Sequence, residues 1–244
     1  MKCIFSDFRR AITGRWFLIA IFASMLALWA SVGPQSWYVL DALQMAAEDD
    51  EWMDWPYFLQ SALTGQLGLL LLPALSALPC ASEALHELRS GVFRPAIFRT
   101  GRAAYIWGQT LSCVVSGMAV QLCAFVGLSL FLNAASRMAG GGWIPMEALG
   151  GCLPPLVGRA LCGGGWAVIG CIVALITETS SAALIAPLCL CYALTMIGTR
   201  FFPNALFLNP VNWPSAPPPA LLLALCLLTF SALLILTREV TNHA

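Results

Sequence analysis

Six charged residues and a glycine in one short stretch form the most patterned group of polar residues this chain offers. Glu83, Glu87, Arg89, Gly91, Arg94, Arg99 and Arg102 fall within 82–102, a charged island between long apolar runs. Carboxylates and guanidinium groups mixed in this way suit docking to a charged partner, or attraction to anionic lipid headgroups, rather than bond making. Ser82 is placed to cap a helix running to Arg89, with Glu83 near its start and Arg89 near its end, as the helix dipole favours. Gly91 is placed to end that helix. Leu85 and Leu88 supply an apolar edge. A short charged helix is expected, followed by a basic entry into the next apolar run.

A second, sparser set of polar groups lies inside the apolar runs: Gln60, Thr64 and Gln66 in one, Gln109, Ser112, Ser116 and Gln121 in another. Steps of three and four residues place Gln109, Ser112 and Ser116 on one helix face. Groups of this kind join helices by hydrogen bonds or line a pathway; the first role is the expected one. Gly163-Gly164-Gly165 permits close helix approach or bending. Arg159 lies about 9 Å into its apolar run at 1.5 Å per residue. Burial at a bilayer centre would cost ~2.5–3.5 kcal/mol, so its side chain is expected to reach outward to the interface.

Much chemistry is excluded. Lys2 is the only lysine, so a GxxxxGK[ST] phosphate-binding loop does not exist in this chain. His86 and His243 are the only histidines and lie outside the apolar runs, which removes a Ser–His dyad around Ser116-Gly117 and His-ligated metalloprotease sites. No Asp or Glu falls in the middle of an apolar run, so paired intramembrane carboxylates are absent. Of ten cysteines, Cys80, Cys113, Cys123, Cys162, Cys171, Cys189, Cys191 and Cys226 lie in apolar runs, where cysteine behaves as a small hydrophobe. Cys189 and Cys191, two residues apart, face different sides of a helix. Neither a disulfide framework, a metal site nor a cofactor is expected on this chain.

The elements that must position these groups are transmembrane helices. Six apolar runs, roughly 16–34, 59–81, 103–132, 153–176, 181–199 and 217–237, each approach or exceed the ~20 residues needed to cross ~30 Å of hydrocarbon. Hydrophobic residues make up 59% and charged residues 10% of the chain, more apolar surface than a soluble protein of this size could bury. Run 16–34 is longer than a typical signal core, and Ala30-Ser31 offer only a poor cleavage site, with Leu28 and Trp29 where small residues belong, so it is expected to stay as the first span. The fold class is all-α, a single polytopic domain over 1–244. Residues 3–13 place Ile4, Phe5, Phe8, Ala11 and Ile12 on one face, opposite Asp7, Arg9 and Arg10, as in an amphipathic interfacial helix.

Charge sets the orientation. Lys2, Arg9, Arg10, Arg15, Arg89, Arg94, Arg99, Arg102 and Arg238, nine of the twelve basic residues, share one side, which the positive-inside tendency makes cytoplasmic. The first outer loop, 35–58, holds Asp41, Glu48, Asp49, Asp50, Glu51 and Asp54 and no Lys or Arg. Both termini are then inside. The second long outer loop, 200–216, carries aromatics suited to the interface and prolines that break a continuous helix. The zero formal charge gives no reason to expect a nucleic acid partner.

The chain resembles the membrane (permease) subunit of bacterial ABC type-2 exporters. The resemblance rests on the amphipathic start, the six spans with both ends inside, and the loop reading Glu87, Arg89-Ser90-Gly91, Arg94, Arg99, Arg102. It continues through Arg102-Ala103-Ala104-Tyr105-Ile106-Trp107-Gly108-Gln109, Ile169-Gly170 through Ala174-Leu175-Ile176-Thr177 to Ala182-Ala183-Leu184-Ile185-Ala186-Pro187, and Leu208-Asn209-Pro210. It implies a multi-pass protein of the bacterial cytoplasmic membrane. Two such subunits, identical or different, form a pathway driven by separate ATPase subunits that bind the ATP. It also implies that the helix near 82–90 is a coupling helix seated in an ATPase groove, that 3–13 is a connecting helix beside it, and that 200–216 folds into short helices dipping toward the outer gate. An apolar or amphipathic cargo, such as a peptide or lipid-like molecule, is consistent with the lack of deep charge. The alternatives are a substrate-binding membrane component of a vitamin-type uptake transporter, which has less need of the arginine-rich loop, and an intramembrane enzyme.

Reporter fusions test the topology. A fusion at Ala47 and one at the C-terminus are expected to report opposite sides of the membrane; the same side for both would overturn the six-span arrangement.

Overall fold

A computed structural model describes residues 14–32, 55–90, 93–138, 143–144, 146–202, 204 and 209–215. Its elements, in order, are α1 (Arg15–Ser31), α2 (Trp55–Thr64), α3 (Gln66–Ser90), α4 (Phe93–Thr100), α5 (Arg102–Met138), α6 (Met146–Gly151), α7 (Leu153–Thr177), α8 (Ser180–Phe201) and a 3-10 helix at Pro210–Ser215. Among the described residues there are helices and no strands, as the apolar runs require. Four stretches, Gln66–Glu87, Ala103–Met138, Leu153–Thr177 and Ser180–Phe201, are long and apolar enough to cross a membrane, and α1 is a shorter apolar helix. These are consistent with a membrane protein. The expected interfacial helix 3–13, nearly all of the loop 35–58 and the sixth span 217–237 lie outside the described residues.

α7 is the centre of the bundle, with α3, α5 and α8 packed around it. Two thirds (67%) of its apolar window is buried, against 22% for α8. Its small residues make this possible. A Cβ added to Gly117 on α5 would lie 2.6 Å from the Gly163 carbonyl oxygen, and one on Gly164 would lie 3.0 Å from that of Val114, so the two backbones touch. A Cβ on Gly170 would collide with Ala77 of α3. Close approach through small residues is how helices associate where solvent gives no hydrophobic drive. The Gly163–Gly165 run therefore serves packing, as its composition suggested.

The bundle's outer faces are apolar. Leu18, Ile19, Phe22 and Leu26 on α1, Leu111, Val126 and Leu130 on α5, and Ile185 and Ile197 on α8 are all exposed. Surfaces of this extent fit contact with lipid rather than water. α5, at 37 residues, is about 55 Å long, well beyond a hydrocarbon core. Its far end is tied down by Asn133, whose Oδ1 accepts a hydrogen bond from the Ile144 amide at 3.0 Å, and by Arg137 lying 5.2 Å over the Trp143 ring.

Two features differ from the sequence reading. The expected span 59–81 is interrupted at Gly65, between α2 and α3. A Cβ there would come within 2.5 Å of the Ser31 carbonyl oxygen, so glycine lets the end of α1 press against the break, where Ser31 Oγ donates to the Ala62 carbonyl at 2.8 Å. The expected separate helix 82–89 is instead the last turns of α3. Ser82 Oγ donates back to the Pro79 carbonyl at 2.9 Å inside that helix and caps nothing. The short independent helix of this region is α4.

Gly117→Val is expected to overpack the α5–α7 contact and lower stability by about 1–3 kcal/mol, read as the unfolding midpoint in detergent. Gly150→Ala, where nothing lies within 4 Å, is the comparison that should leave it unchanged. Equal midpoints for both variants would contradict the close helix contact.

Candidate functional site

The break at Gly65 falls between two carbonyls, those of Leu63 on α2 and Gly68 in the first turn of α3, and Arg159 reaches both from α7. Its guanidinium donates from Nη1 to the Leu63 carbonyl at 2.9 Å, from Nη2 to the Gly68 carbonyl at 2.8 Å, and from Nε to Gln121 Oε1 at 3.1 Å. Gly68 makes room: a Cβ there would stand 3.2 Å from Nη2 and 3.3 Å from Nη1. The side chain is 1% exposed. The expectation that Arg159 reaches outward to the interface is thus overturned. Energetics explain why. A hydrogen bond to a charged group contributes ~1.5–3 kcal/mol, so three together outweigh the ~2.5–3.5 kcal/mol penalty for arginine at the centre of a membrane helix.

All three acceptors are neutral, so the cation is held by dipoles. Gln121 Nε2 and Ser24 Oγ are buried and make no hydrogen bond. The arrangement ties α2, α3 and α5 to α7 at one point and leaves Gln121 Nε2 beside it without a hydrogen bond.

The remaining polar span residues divide by location. Gln60 and Thr64 on α2 are exposed, with Thr64 Oγ1 donating to the Gln60 carbonyl at 2.9 Å. Ser112 and Ser116 are buried on α5, and Ser116 Oγ donates to the Cys113 carbonyl of its own helix at 3.0 Å. Gln109, half-buried, places Nε2 4.0 Å from Cys171 Sγ on α7. Gln109 and Gln121 both reach α7, as helix-joining groups do.

At the arginine-rich end of the bundle, the charged residues face inward more than their spacing suggested. Glu87 accepts a hydrogen bond from Tyr105 OH at 3.1 Å, fastening α3 to α5. Arg89 Nη2 donates to the Glu178 carbonyl at 3.0 Å. Glu178 is the C-cap of α7 and has φ 52, a left-handed conformation that closes the helix. A cation on the last carbonyls of a helix also complements its dipole. Glu83 is half-buried on α3. Arg94 lies in the first turn of α4 and Arg102 begins α5; Gly91 lies outside the described residues.

α4 has the outward face instead. Ile97 is buried against the bundle, while Phe98 is 86% exposed and Arg99 is exposed. Gly101, at φ 82, makes the turn into α5: its amide donates to the Ile97 carbonyl at 2.8 Å and its carbonyl accepts from Tyr105 N at 3.1 Å.

The 3-10 helix lies against the middle of α7. Trp213 is buried, its ring stacked on Trp166 at 5.9 Å with planes 16° apart. Asn209 begins this helix, its Oδ1 accepting from Val211 N at 3.2 Å and its carbonyl accepting from Asn212 N at 3.0 Å. Part of the loop 200–216 is thus a packed helix beside the bundle core.

One disulfide joins Cys80 of α3 to Cys113 of α5, with Cα atoms 5.3 Å apart, inside the range a bridge needs. This corrects the expectation that cysteines in apolar runs act as small hydrophobes; residues 33 apart in sequence give no sign that two helices bring them together. Arg159's partners were hidden for the same reason: two are backbone carbonyls. Comparison with protein-family models and with curated proteins returns no match.

Arg159→Ala is expected to destabilise the protein by about 3 kcal/mol or more, since it removes donors from the Leu63 and Gly68 carbonyls and from Gln121 together. Gln121→Leu should cost less, because it removes an unpaired amide as well as a bonded one. Chemical unfolding in detergent ranks the two; the reverse order would contradict the geometry.

Proposed function

We propose that the chain is the permease subunit of an ATP-driven exporter, forming half of a transmembrane pathway with a second permease subunit, identical or different, and docking separate ABC ATPase subunits that carry the ATP. The observation that carries this reading is α4, an eight-residue helix set between two span-length helices, buried through Ile97 and presenting Phe98 and Arg99 outward. A bulky aromatic beside a cation is the composition of an interface anchor. The coupling role assigned by resemblance to 82–90 passes to α4, because Glu87 and Arg89 are engaged within the chain. Their bonds to Tyr105 and to the end of α7 make the base of α4 stiff, so a push on α4 is delivered to α3, α5 and α7 together.

In this reading the arginine-rich end is cytoplasmic and the membrane is the bacterial plasma membrane. The nearly uncovered apolar flank of α8 offers surface for the sixth span or the second permease. The 3-10 helix, with Trp213 stacked on Trp166 at the middle of α7, supports a segment that dips from the outer loop into the membrane. Cargo would be apolar or amphipathic, since the deep cation at Arg159 is already occupied by three acceptors.

Purified alone, the chain is expected to hydrolyse no ATP. Drawn from native membranes by a tag, it should bring with it a protein carrying a phosphate-binding loop. Phe98→Ala combined with Arg99→Glu should reduce that recovery about tenfold or more, the equivalent of ~1.4 kcal/mol or greater. Glu147→Gln, exposed at the other end, should leave it unchanged. Undiminished ATPase recovery with the α4 variant would remove α4 from the coupling role, and ATP hydrolysis by the chain alone would end the permease assignment.

A further inference from the structure

Three buried sulfurs converge where α3, α5 and α7 meet. Cys80, Cys113 and Cys171 place their Sγ atoms within 4.8 Å of one another, and all three residues are buried. A metal 2.3 Å from three sulfurs in one plane sets those sulfurs about 4.0 Å apart; Cys171 Sγ already lies within 4.8 Å of the other two, whose disulfide must open to that spacing on reduction. Around it pack Ala84, Ile97, Ile106, Val168 and Ile172, an apolar shell that excludes water. We propose that the reduced cluster is a binding site for one thiophilic monovalent metal ion of the copper(I) class, held by three thiolates from three different helices.

The ligand set selects the ion. Sulfur ligands favour copper(I), zinc and iron–sulfur clusters over hard cations. Structural zinc takes four ligands and iron–sulfur clusters take four cysteines, whereas this cluster offers three, without histidine or carboxylate. Three-coordinate copper(I) fits that number. Gln109 supplies the outer support: its Nε2 points at Cys171 Sγ from 4.0 Å and would fix the orientation of that thiolate. Glu87 and Tyr105, hydrogen-bonded at 3.1 Å, stand between the cluster and the arginine-rich end, Tyr105 packing directly against the shell.

The Cys80–Cys113 disulfide and the metal are mutually exclusive occupants of the same sulfurs. Loading requires a dithiol reductant, whose two electrons and two protons convert the bridge into two thiols while the reductant itself becomes a disulfide. Copper(I) binding then releases the thiol protons to solvent. The site is therefore open to metal only in the reduced protein, and the inference stands independently of the exporter reading.

The experiment uses the whole chain in detergent, reduced with a dithiol, freed of it anaerobically, and titrated with copper(I) alone against a chromogenic copper(I) chelator. One copper per chain is expected to resist the chelator, with X-ray absorption showing sulfur neighbours only. Replacing Cys80, Cys113 and Cys171 together by Ser, with the other seven cysteines kept, should abolish that tight site; Cys189→Ser should retain it. Gln109→Ala should weaken it by about tenfold or more. Failure of the reduced, folded wild-type chain to withhold copper from the chelator would overturn the proposal, and this needs no variant to fold. Undiminished tight binding in the triple variant, or preferential binding of zinc, would overturn it equally.

Discussion

The buried Arg159 guanidinium is the contact on which the rest of the bundle depends. A helix interrupted inside hydrocarbon is unstable unless its freed carbonyls find donors, because lipid supplies none. One arginine on the central helix supplies a donor to the Leu63 carbonyl just before the break, a second to the Gly68 carbonyl just after it and a third to Gln121 on α5. Its planar fork reaches three acceptors at once, which a lysine ammonium on its flexible stem could not do in the same fixed geometry. The break at Gly65, the glycine at position 68 and the arginine on α7 are thus one device. Remove any of the three and the other two lose their physical reason.

From that point outward the bundle is organised by small residues and then by charges. Gly117, Gly163 and Gly164 let α5 and α7 touch along their backbones, and Gly170 does the same for α7 and α3. Toward the arginine-rich end, Tyr105–Glu87 and Arg89–Glu178 close the bundle with hydrogen bonds between helix ends. Among the described residues, α4 faces outward at that end with an aromatic and a cation together. A structure rigid at its centre and at its charged end transmits a displacement of α4 through several helices as one body, and the exporter reading needs that property.

The helical class, four long helices and most of their limits were legible from apolar run lengths; Leu153–Thr177 and Ser180–Phe201 lie within two residues of the expected 153–176 and 181–199. The role of Gly163-Gly164-Gly165 was legible too, since small residues in a span have few other uses. What escaped the sequence was partnership across helices. Arg159 looked like a residue obliged to reach outward, because its acceptors are mostly backbone atoms with no sequence signature. Ser82 looked like a cap because its neighbours matched one, yet apolar residues before it carried the helix straight through. Cys80, Cys113 and Cys171 resembled isolated small hydrophobes until three helices brought them together. An arginine and a mid-span glutamine in neighbouring runs were the one available hint of the central contact.

Hydrogen exchange at the amides of residues 67–72, compared between wild type and Arg159→Lys in lipid nanodiscs, tests this account most directly. Lysine keeps a positive charge but cannot hold the three acceptors together. The account predicts exchange at 67–72 faster by about tenfold or more, corresponding to ~1.4 kcal/mol or greater of lost local protection, with exchange in α4 unchanged. Equal protection of 67–72 in the two proteins would show that the broken helix stands without the guanidinium, and would contradict the central role given to Arg159.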